Sequence, residues 1–337
     1  MRLSNYTSAF LPPLEDELHR AIALVDSDGL SELHTMLAYH MGWQGEGAGS
    51  GAAGKRIRTL LLLLSCEAAG GRWQDALPAA AAVELVHNFS LIHDDIEDNS
   101  PLRRGRPTIW KKWGIPQALN AGDSLFTLAH LEILRLEETA SPAITLKATR
   151  LLHETCLRLT QGQYLDISYE NRRDLTLDSY WPMVSGKTAA LLAACTGLGA
   201  LIAGTDEDRQ DCFAQFGHFL GLAFQVQDDL LGVWGDAALT GKSAESDLLT
   251  GKKSLPVLYG LSLDGSFAQR WQQGPLQLEE IPALASQLEA EGGRRYTQDT
   301  AEALTRQSLD SLQKAVPQSE SRESLEELVG LLIRRQG

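Results

Sequence analysis

The chain has 337 residues, of which 43% are hydrophobic and 22% are charged. This ordinary globular composition excludes a wholly disordered chain. The 44 acidic residues against 30 basic ones give a net charge of −14, which makes nucleic acid and anionic membrane surfaces poor partners. The four cysteines form no CxxC pair, which argues against a zinc site and a disulfide framework.

Amphipathic helices are predicted along most of the chain, because apolar residues recur at three- and four-residue spacing and alternating strand patterns are nearly absent. The clearest helical stretches are residues 14–25, 79–92, 142–160, 211–231, 298–316 and 321–335. Glycine, proline and polar residues separate them, for example at residues 42–54 and 99–107. No repeat and no linker divides the chain, so we predict a single all-α domain over residues 1–337.

Residues 188–205 carry no charge over 18 positions, close to the length of a membrane span. Their content of Ala, Gly, Thr and Leu, with three internal glycines, favours a helix packed among other helices. The N-terminus lacks the basic start and apolar run of a signal peptide. We therefore expect a cytoplasmic protein with free, buried thiols and no integral membrane segment.

Two patterns point to other functions but are incomplete. The glycine loop at residues 45–58, GEGAGSGAAGKRIR, resembles a P-loop, yet Arg56 stands where Ser or Thr is required and no strand precedes it. Glu84 and His87 form half of a di-iron site, and the chain has no second ExxH. What remains of the loop is a flexible segment that brings its basic residues together, and a solvated basic turn is the alternative.

A cluster of carboxylates ends an apolar helix in the segment FSLIHDDIEDNSPLRRGRPT, residues 89–108. Asp94 and Asp98, four residues apart, share a helix face. Together with Asp95 they oppose the helix macrodipole, which favours a divalent cation between them over a solvated acidic helix end. Magnesium held jointly by carboxylates and substrate phosphates fits this pattern. Donors suited to phosphate oxygens follow at Arg103, Arg104 and Arg106.

The same order of residues returns in FQVQDDLLGVWGD, residues 224–236, where Asp228 and Asp229 end another apolar helix. Cations and a hydroxyl flank this segment at Lys187, Thr188, Lys242, Lys252 and Lys253. We expect the two acidic helix ends to face each other across a cavity and to hold a diphosphate through several magnesium ions.

Residues 54–261 resemble the trans-isoprenyl diphosphate synthases of the polyprenyl synthetase family. The matching motifs are GKRxR at residues 54–58, DDxxD at 94–98, RRGxPT at 103–108, KT at 187–188 and FQxxDD at 224–229. Thr59 stands where the family usually has proline, and Gly232 replaces the last aspartate of the second DDxxD motif. The second departure leaves the metal geometry open, with Asp236 as a candidate replacement. The resemblance implies an isoprenoid-synthase helical bundle around a central cavity.

The reaction implied by this resemblance is head-to-tail transfer of the prenyl group of an allylic diphosphate onto isopentenyl diphosphate, with the allylic diphosphate group released as pyrophosphate and three magnesium ions in each active site. The implied metal ligands are Asp94, Asp98 and Asp228. The implied catalytic residues are these three together with Arg103, Lys187, Thr188 and Gln225. The implied substrate-binding residues are Lys55, Arg58, His87, Arg104, Asp95, Asp229, Lys242 and Lys252. A homodimer is implied as well.

The helix face that precedes Asp94 sets the expected product length. Ser90, Phe89 and Val86 lie four, five and eight residues before Asp94. At about 1.5 Å per residue, Phe89 lies roughly 7.5 Å along the path of the growing tail. Phe89 is bulky enough to form a partial floor while Ser90 leaves room beside it. We therefore predict C15 to C20 products, with C20 favoured; a depth set by neighbouring helices is the alternative.

Two other functions stay open at this point. A class I terpene cyclase also ionises a prenyl diphosphate with magnesium, but it has no use for the second diphosphate site that the implied basic residues supply. A non-catalytic partner subunit or scaffold is compatible with Gly232, but it has no reason to keep both acidic clusters and both basic sites. Magnesium-dependent release of pyrophosphate separates the enzymes from the scaffold.

Overall fold

The computed structural model describes residues 3–235 and 246–334. Within these residues the chain is helical almost throughout, which confirms the predicted all-α class. The helices, in chain order, are α1 Leu3–Ala23, α2 Ser31–His40, α3 Ser50–Ala53, α4 Ile57–Ala69, α5 Leu77–Glu97, α6 Ile109–Trp113, α7 Ile115–Leu134, α8 Pro142–Tyr169, α9 Leu177–Val184, α10 Ala190–Ile202, α11 Glu207–Trp234, α12 Ser246–Leu249, α13 Leu255–Ser262, α14 Ser266–Gln272, α15 Ile281–Ala290, α16 Gly293–Ala315 and α17 Glu320–Arg334.

Short segments of other geometry connect several of these helices. Single turns of 3-10 helix occur at Trp73–Ala76, Arg135–Glu138 and Leu278–Glu280. A π-helical turn at Ser185–Ala189 joins α9 to α10 without a break. Insertions of this kind are frequent at functional sites.

Helix α1 continues through Pro12 and Pro13, although the sequence predicts a helix only from residue 14. Proline cannot donate the backbone hydrogen bond that its position in a helix calls for. The carbonyl oxygens opposite the two prolines belong to Ser8 and Ala9, which are exposed and can bind water instead. The helix therefore continues through the two prolines, because the two missing backbone hydrogen bonds lie on its solvent-exposed side.

A two-stranded hairpin lies inside the arginine-rich motif, where the sequence predicts only a turn. Its strands are β1, Leu102–Arg103, and β2, Arg106–Pro107, paired antiparallel. The two residues between them, Arg104 and Gly105, have φ angles of 52° and 74°. Positive φ at both positions is the geometry of a tight hairpin turn, which glycine adopts without strain.

The backbone contacts divide the described chain into two compact units. The first unit runs up to His153 and adds Cys195–Gln210 and Ser319–Leu325. In this unit α5 packs along α7, and its alanine run, residues 79–82, is completely buried. Small side chains allow neighbouring helices to approach closely, so α5 is firmly packed at the end opposite the first acidic cluster.

The second unit consists of the described residues of Glu154–Ala194, Asp211–Gln318 and the chain from Glu326. One core cluster joins α9, α11, α13 and α16 through residues such as Tyr180, Val226 and Leu255. Another gathers around Phe267 and Ile281 on α14 and α15. The predicted single domain and its central cavity remain predictions.

The uncharged stretch singled out in the sequence belongs to the continuous helical segment Leu177–Ile202. By length and hydropathy this segment could cross a membrane, but 72% of its most apolar window is buried inside the protein. The segment therefore serves as a core helix, as its small residues predict.

Candidate active site

The first acidic cluster lies at the C-terminal end of α5. Asp98 follows the last residue of the helix, and its backbone N–H donates to the Asp94 carbonyl oxygen at 2.8 Å. The Asp94 side chain is half-buried and that of Asp98 is exposed. Within residues 3–235 and 246–334, no three His, Cys, Asp or Glu side chains converge into a ready-made metal site. One or two carboxylates completed by ligand phosphates remain a suitable donor set for magnesium.

Asp95, unlike the two other aspartates of the motif, is buried. The Arg103 Nε donates to both Asp95 carboxylate oxygens, at 2.9 and 3.0 Å, and the Arg103 Nη2 lies 2.9 Å from Oδ1. Burial raises the pKa of the Asp95 carboxyl, although Arg103 acts in the opposite direction. This forked pair fixes the Arg103 guanidinium next to the acidic end of α5, while substrate binding by Asp95 itself stays a prediction.

Gly54 of the glycine loop is required for the close approach of Arg104. The Arg104 Nη1 donates to the Ala52 carbonyl oxygen at 2.6 Å. A Cβ on Gly54 would lie 2.6 Å from the Arg104 Nη2, and the φ angle of Gly54 is 83°. The loop therefore receives the Arg104 guanidinium because it has no side chain at this position.

The pair Glu84 and His87, which resembles half of a di-iron site, instead contacts two arginines of the GKRIR motif. Arg56 has a left-handed φ of 49° and is buried, and its Nη1 donates to Glu84 at 2.8 Å. Its Nε donates to Glu15, also at 2.8 Å. The Arg58 Nη1 lies 3.2 Å from the His87 Nε2. Glu84 therefore neutralises the buried Arg56, and His87 accepts from Arg58.

The surroundings of His87 are strongly cationic. Burial lowers the pKa of His87 well below its usual value, and Arg58, Arg104 and Arg103 add to the effect. Burial also lowers the pKa of the Arg104 guanidinium, against the effect of Glu84. Cations crowded in this way gain most from an anionic ligand, and a neutral His87 keeps a hydrogen-bonding edge available without adding charge.

The remaining basic residues of this region divide into two kinds. Lys55 is exposed and can reach a ligand. Arg106, which the sequence groups with the phosphate-binding arginines, is buried and donates to the carbonyl oxygens of Glu46, Tyr39 and Gln44 at 2.7–2.9 Å. Its role is to hold the glycine loop, because its donors are already used within the protein.

Phe89 and Ser90 lie on α5 one turn before Asp94. The Phe89 ring packs against Phe126 of α7, with ring centroids 4.8 Å apart, and contacts His93 edge-on at 5.3 Å. The Ser90 hydroxyl donates to the His87 carbonyl oxygen at 2.8 Å. Phe126 thus adds a second aromatic ring beside Phe89, and the sequence does not predict this neighbour.

In the second unit, Lys187 and Thr188 occupy the π-helical turn. The Lys187 Nζ lies 2.5 Å from the Asp166 Oδ2 on α8. The turn and α8 touch at Gly162, where an added Cβ would lie 2.0 Å from the Lys187 backbone nitrogen. The lysine is therefore positioned by direct backbone packing as well as by an ion pair.

Asp229 of the second acidic cluster is buried and is surrounded by hydrogen-bond donors. The Tyr180 hydroxyl and the Leu255 N–H donate to Oδ2 at 2.8 and 2.9 Å, and the Gln225 amide donates to Oδ1 at 3.0 Å. Burial raises the pKa of Asp229 to about 6, while Lys252 and the Leu255 N–H oppose the rise. Its neighbour Asp228 is half-buried and is the member of the pair that can reach a ligand.

Lys252 lies between two carboxylates, with its Nζ 3.8 Å from both Asp229 and Asp247. Burial lowers its pKa, but the carboxylates, Asp229 first, outweigh burial and raise it. Asp247 also accounts for Gly232, because a Cβ on Gly232 would lie 2.3 Å from the Asp247 Oδ2. Lys242 and Asp236 lie outside the described residues.

The sequence identifies the residues with recognisable motifs and misses those that hold them. Glu15, Tyr180 and Asp166 carry no local signal, because each meets its partner through a contact distant in sequence. Asp247 could have been found, since it is an acidic residue in the loop that carries the predicted lysines.

Three comparisons place this geometry among known proteins. The family model described as polyprenyl synthetase matches residues 49–278. A (2E,6E)-farnesyl diphosphate synthase of Mycobacterium bovis is 38% identical over 315 residues, which cover 90% of this chain and 86% of that protein. A geranylgeranyl diphosphate synthase of Mycobacterium tuberculosis is 38% identical over 306 residues, which cover 89% and 85%. The crystal structure of a polyprenyl synthetase from Streptomyces coelicolor superposes with a TM-score of 0.87 at 35% identity, covering 98% of this chain and 99% of that one.

Proposed function

The chain belongs to the polyprenyl synthetase family, and we propose that it elongates an allylic diphosphate with isopentenyl diphosphate to a C15–C20 all-trans prenyl diphosphate, with C20 favoured. It is a short-chain trans-prenyltransferase, as the sequence predicts. The observation that carries the proposal is the pairing of an acidic helix end with a separate cluster of cations around His87. An enzyme that condenses two diphosphate substrates needs both an acidic cluster and a separate cationic cluster.

Magnesium is the proposed cofactor, with three ions for each active site. The ligands would be Asp94, Asp98 and Asp228, whose half-buried or exposed carboxylates offer the oxygen atoms that hard cations prefer. Bound there, magnesium would supply Lewis-acid stabilisation of the departing diphosphate.

The chain's own cations would complete the binding of the allylic diphosphate. Arg103 is held by Asp95, Lys187 by Asp166, and Lys252 by Asp229 and Asp247. Each cation is fixed before substrate arrives, so little reorganisation is needed when negative charge develops on the leaving group. Lys242 is proposed for the same role on the sequence motif alone.

Isopentenyl diphosphate would bind to Lys55, Arg58, His87 and Arg104. Burial lowers the pKa of Arg104 and the nearby Arg103, Arg56 and Arg58 add to the effect, so a diphosphate bound among these groups would offset their mutual repulsion. The double bond of this substrate then attacks the allylic carbon, and the released pyrophosphate is the proposed acceptor of the proton.

The proposed function is tested by incubating the protein with magnesium, isopentenyl diphosphate and each of dimethylallyl, geranyl and farnesyl diphosphate, followed by mass analysis of the products. Linear prenyl diphosphates ending at C15 or C20, with pyrophosphate released only when magnesium is present, are the expected result. A hydrocarbon formed from farnesyl diphosphate alone would instead identify a cyclase. Absence of turnover under all conditions would favour the partner-subunit alternative.

Phe89→Ala is expected to shift the products towards longer chains by at least one isoprene unit. The substitution removes one of the two packed rings, Phe89 and Phe126, from the proposed floor. The measurement is the product-length distribution with farnesyl diphosphate as primer. Leu85→Ala on the same helix is the control, because Leu85 is completely buried in the core. An unchanged distribution in Phe89→Ala would mean that neighbouring helices set the depth.

We propose a homodimer that buries the apolar side of α7. Four large side chains on this helix are 42–49% exposed, namely Ile115, Leu119, Leu131 and Leu134. Exposed apolar groups of this number on one helix favour association with another protein surface. Sedimentation at twice the chain mass is expected, and a monomer at micromolar concentration would contradict it.

The cytoplasm is the proposed location, since the four cysteines are free; recovery in the membrane fraction would contradict this.

A further inference from the structure

Both oxygens of the Asp229 carboxylate accept hydrogen bonds from donors of its own chain. It is 1% exposed, and its oxygens accept from the Tyr180 hydroxyl, the Leu255 N–H and the Gln225 amide at 2.8–3.0 Å. The Lys252 ammonium lies 3.8 Å away. Because both oxygens are engaged, a diphosphate or a metal ion would have to displace these contacts to reach Asp229.

An acceptor in this position dictates the orientation of Gln225. The amide must turn its NH₂ group towards the carboxylate, since its carbonyl oxygen would face another acceptor. The carbonyl oxygen Oε1 is then directed to Thr188, whose hydroxyl lies 2.8 Å away. The Thr188 hydroxyl must therefore donate its only proton to Gln225, and its oxygen retains only lone pairs for any other neighbour.

We propose that Tyr180 and Asp229 are positioning residues that fix Gln225 and Thr188 with their oxygen lone pairs oriented towards the positive charge of the reacting allylic group. This inference rests on the proposed function and assigns Asp229 to orientation rather than to substrate binding. An oxygen fixed in this way attracts a cation and repels a phosphate oxygen. It therefore contributes to ionisation of the allylic carbon and not to affinity for either diphosphate.

Tyr180 gives the cleanest test, because phenylalanine keeps the buried ring and removes only the hydroxyl. We expect Tyr180→Phe to lower kcat about tenfold, as the loss of one hydrogen bond to a charged group predicts, with KM for both substrates unchanged within about threefold. Tyr6→Phe removes a hydroxyl from a buried tyrosine of the first unit and is expected to leave kcat unchanged. A raised KM with unchanged kcat in Tyr180→Phe would overturn the proposal.

Action through Thr188 is tested by a double-mutant cycle. Thr188→Val removes the oriented oxygen, so adding Tyr180→Phe to it should change kcat by less than about twofold. A residue with only a structural role would lower kcat by the same factor in both backgrounds. Additive effects would therefore contradict the positioning role.

A binding measurement keeps the inference separate from the proposed reaction. Asp229→Asn places an amide among the donors and should reverse the orientation of the Gln225 side-chain amide. The affinity for magnesium pyrophosphate, measured by calorimetry, should nevertheless stay within about threefold of the original. Asp228→Asn, at the half-buried neighbour, should lower that affinity by tenfold or more. An equal loss in Asp229→Asn would make Asp229 a ligand and overturn the inference, whether or not the protein turns over substrate. Lack of turnover with normal binding would count against the proposed function.

Discussion

Asp94→Asn is expected to lower kcat by about three orders of magnitude while leaving the protein folded. The substitution removes an anionic ligand oxygen at the proposed metal site, and metal stabilisation of a leaving group is worth several kcal/mol. Asp94 lies in the last turn of α5, where a negative charge opposes the helix dipole. We therefore expect the thermal midpoint to stay the same or to rise slightly.

The control for Asp94→Asn is Glu97→Gln, which makes the same change of charge at an exposed position of the same helix end. It should retain nearly full activity. Steady-state kinetics at saturating magnesium compare the two variants. If Asp94→Asn kept more than a tenth of the original kcat, Asp94 would not be an essential metal ligand.

The second large effect is expected at Gly162, where Ala should destabilise the fold by about 3 kcal/mol or more and abolish activity. The added methyl group would lie 2.0 Å from the Lys187 nitrogen and 2.5 Å from the Gly186 carbonyl carbon. Both neighbours are backbone atoms, so relief requires the π-helical turn to move away from α8. Such a movement would separate Lys187 from Asp166.

Denaturant unfolding of Gly162→Ala measures the loss of stability, with Gly51→Ala as the control. Gly51 has no atom within 4 Å of an added Cβ and does not have a positive φ. Its replacement should change the free energy of unfolding by less than about 1 kcal/mol. Equal midpoints for the two variants would show that the contact between α8 and the turn is easily adjusted.

Helical periodicity was sufficient to predict the fold class, because a buried face repeats along each long helix. Asp94 and Asp98 could be placed on one face of α5 for the same reason. The start of α1 was placed too late, since its two prolines hide a helix whose exposed side tolerates them. The hairpin around Gly105 was missed because strands of two residues are too short for an alternating pattern.

Side-chain partners were much harder to predict than motifs. Nothing near Arg106 in the sequence indicates that it donates to three carbonyl oxygens, those of Tyr39, Gln44 and Glu46, some sixty positions earlier. The same holds for Tyr180 and Asp229, which lie on different helices. Motif residues that contact ligands and motif residues that hold the protein together look alike in sequence, and only their contacts distinguish them.

The close approach of Asp247 to Gly232 affects how this enzyme can be engineered. A consensus design would replace Gly232 by Asp, as the family pattern suggests, and would expect the substitution to restore the second acidic motif. Here a Cβ added at position 232 would lie 2.3 Å from the Asp247 Oδ2, so an aspartate there would clash with the Asp247 carboxylate and be repelled by its charge. Positions 232 and 247 therefore form one coupled choice, and a library that varies either of them should vary both.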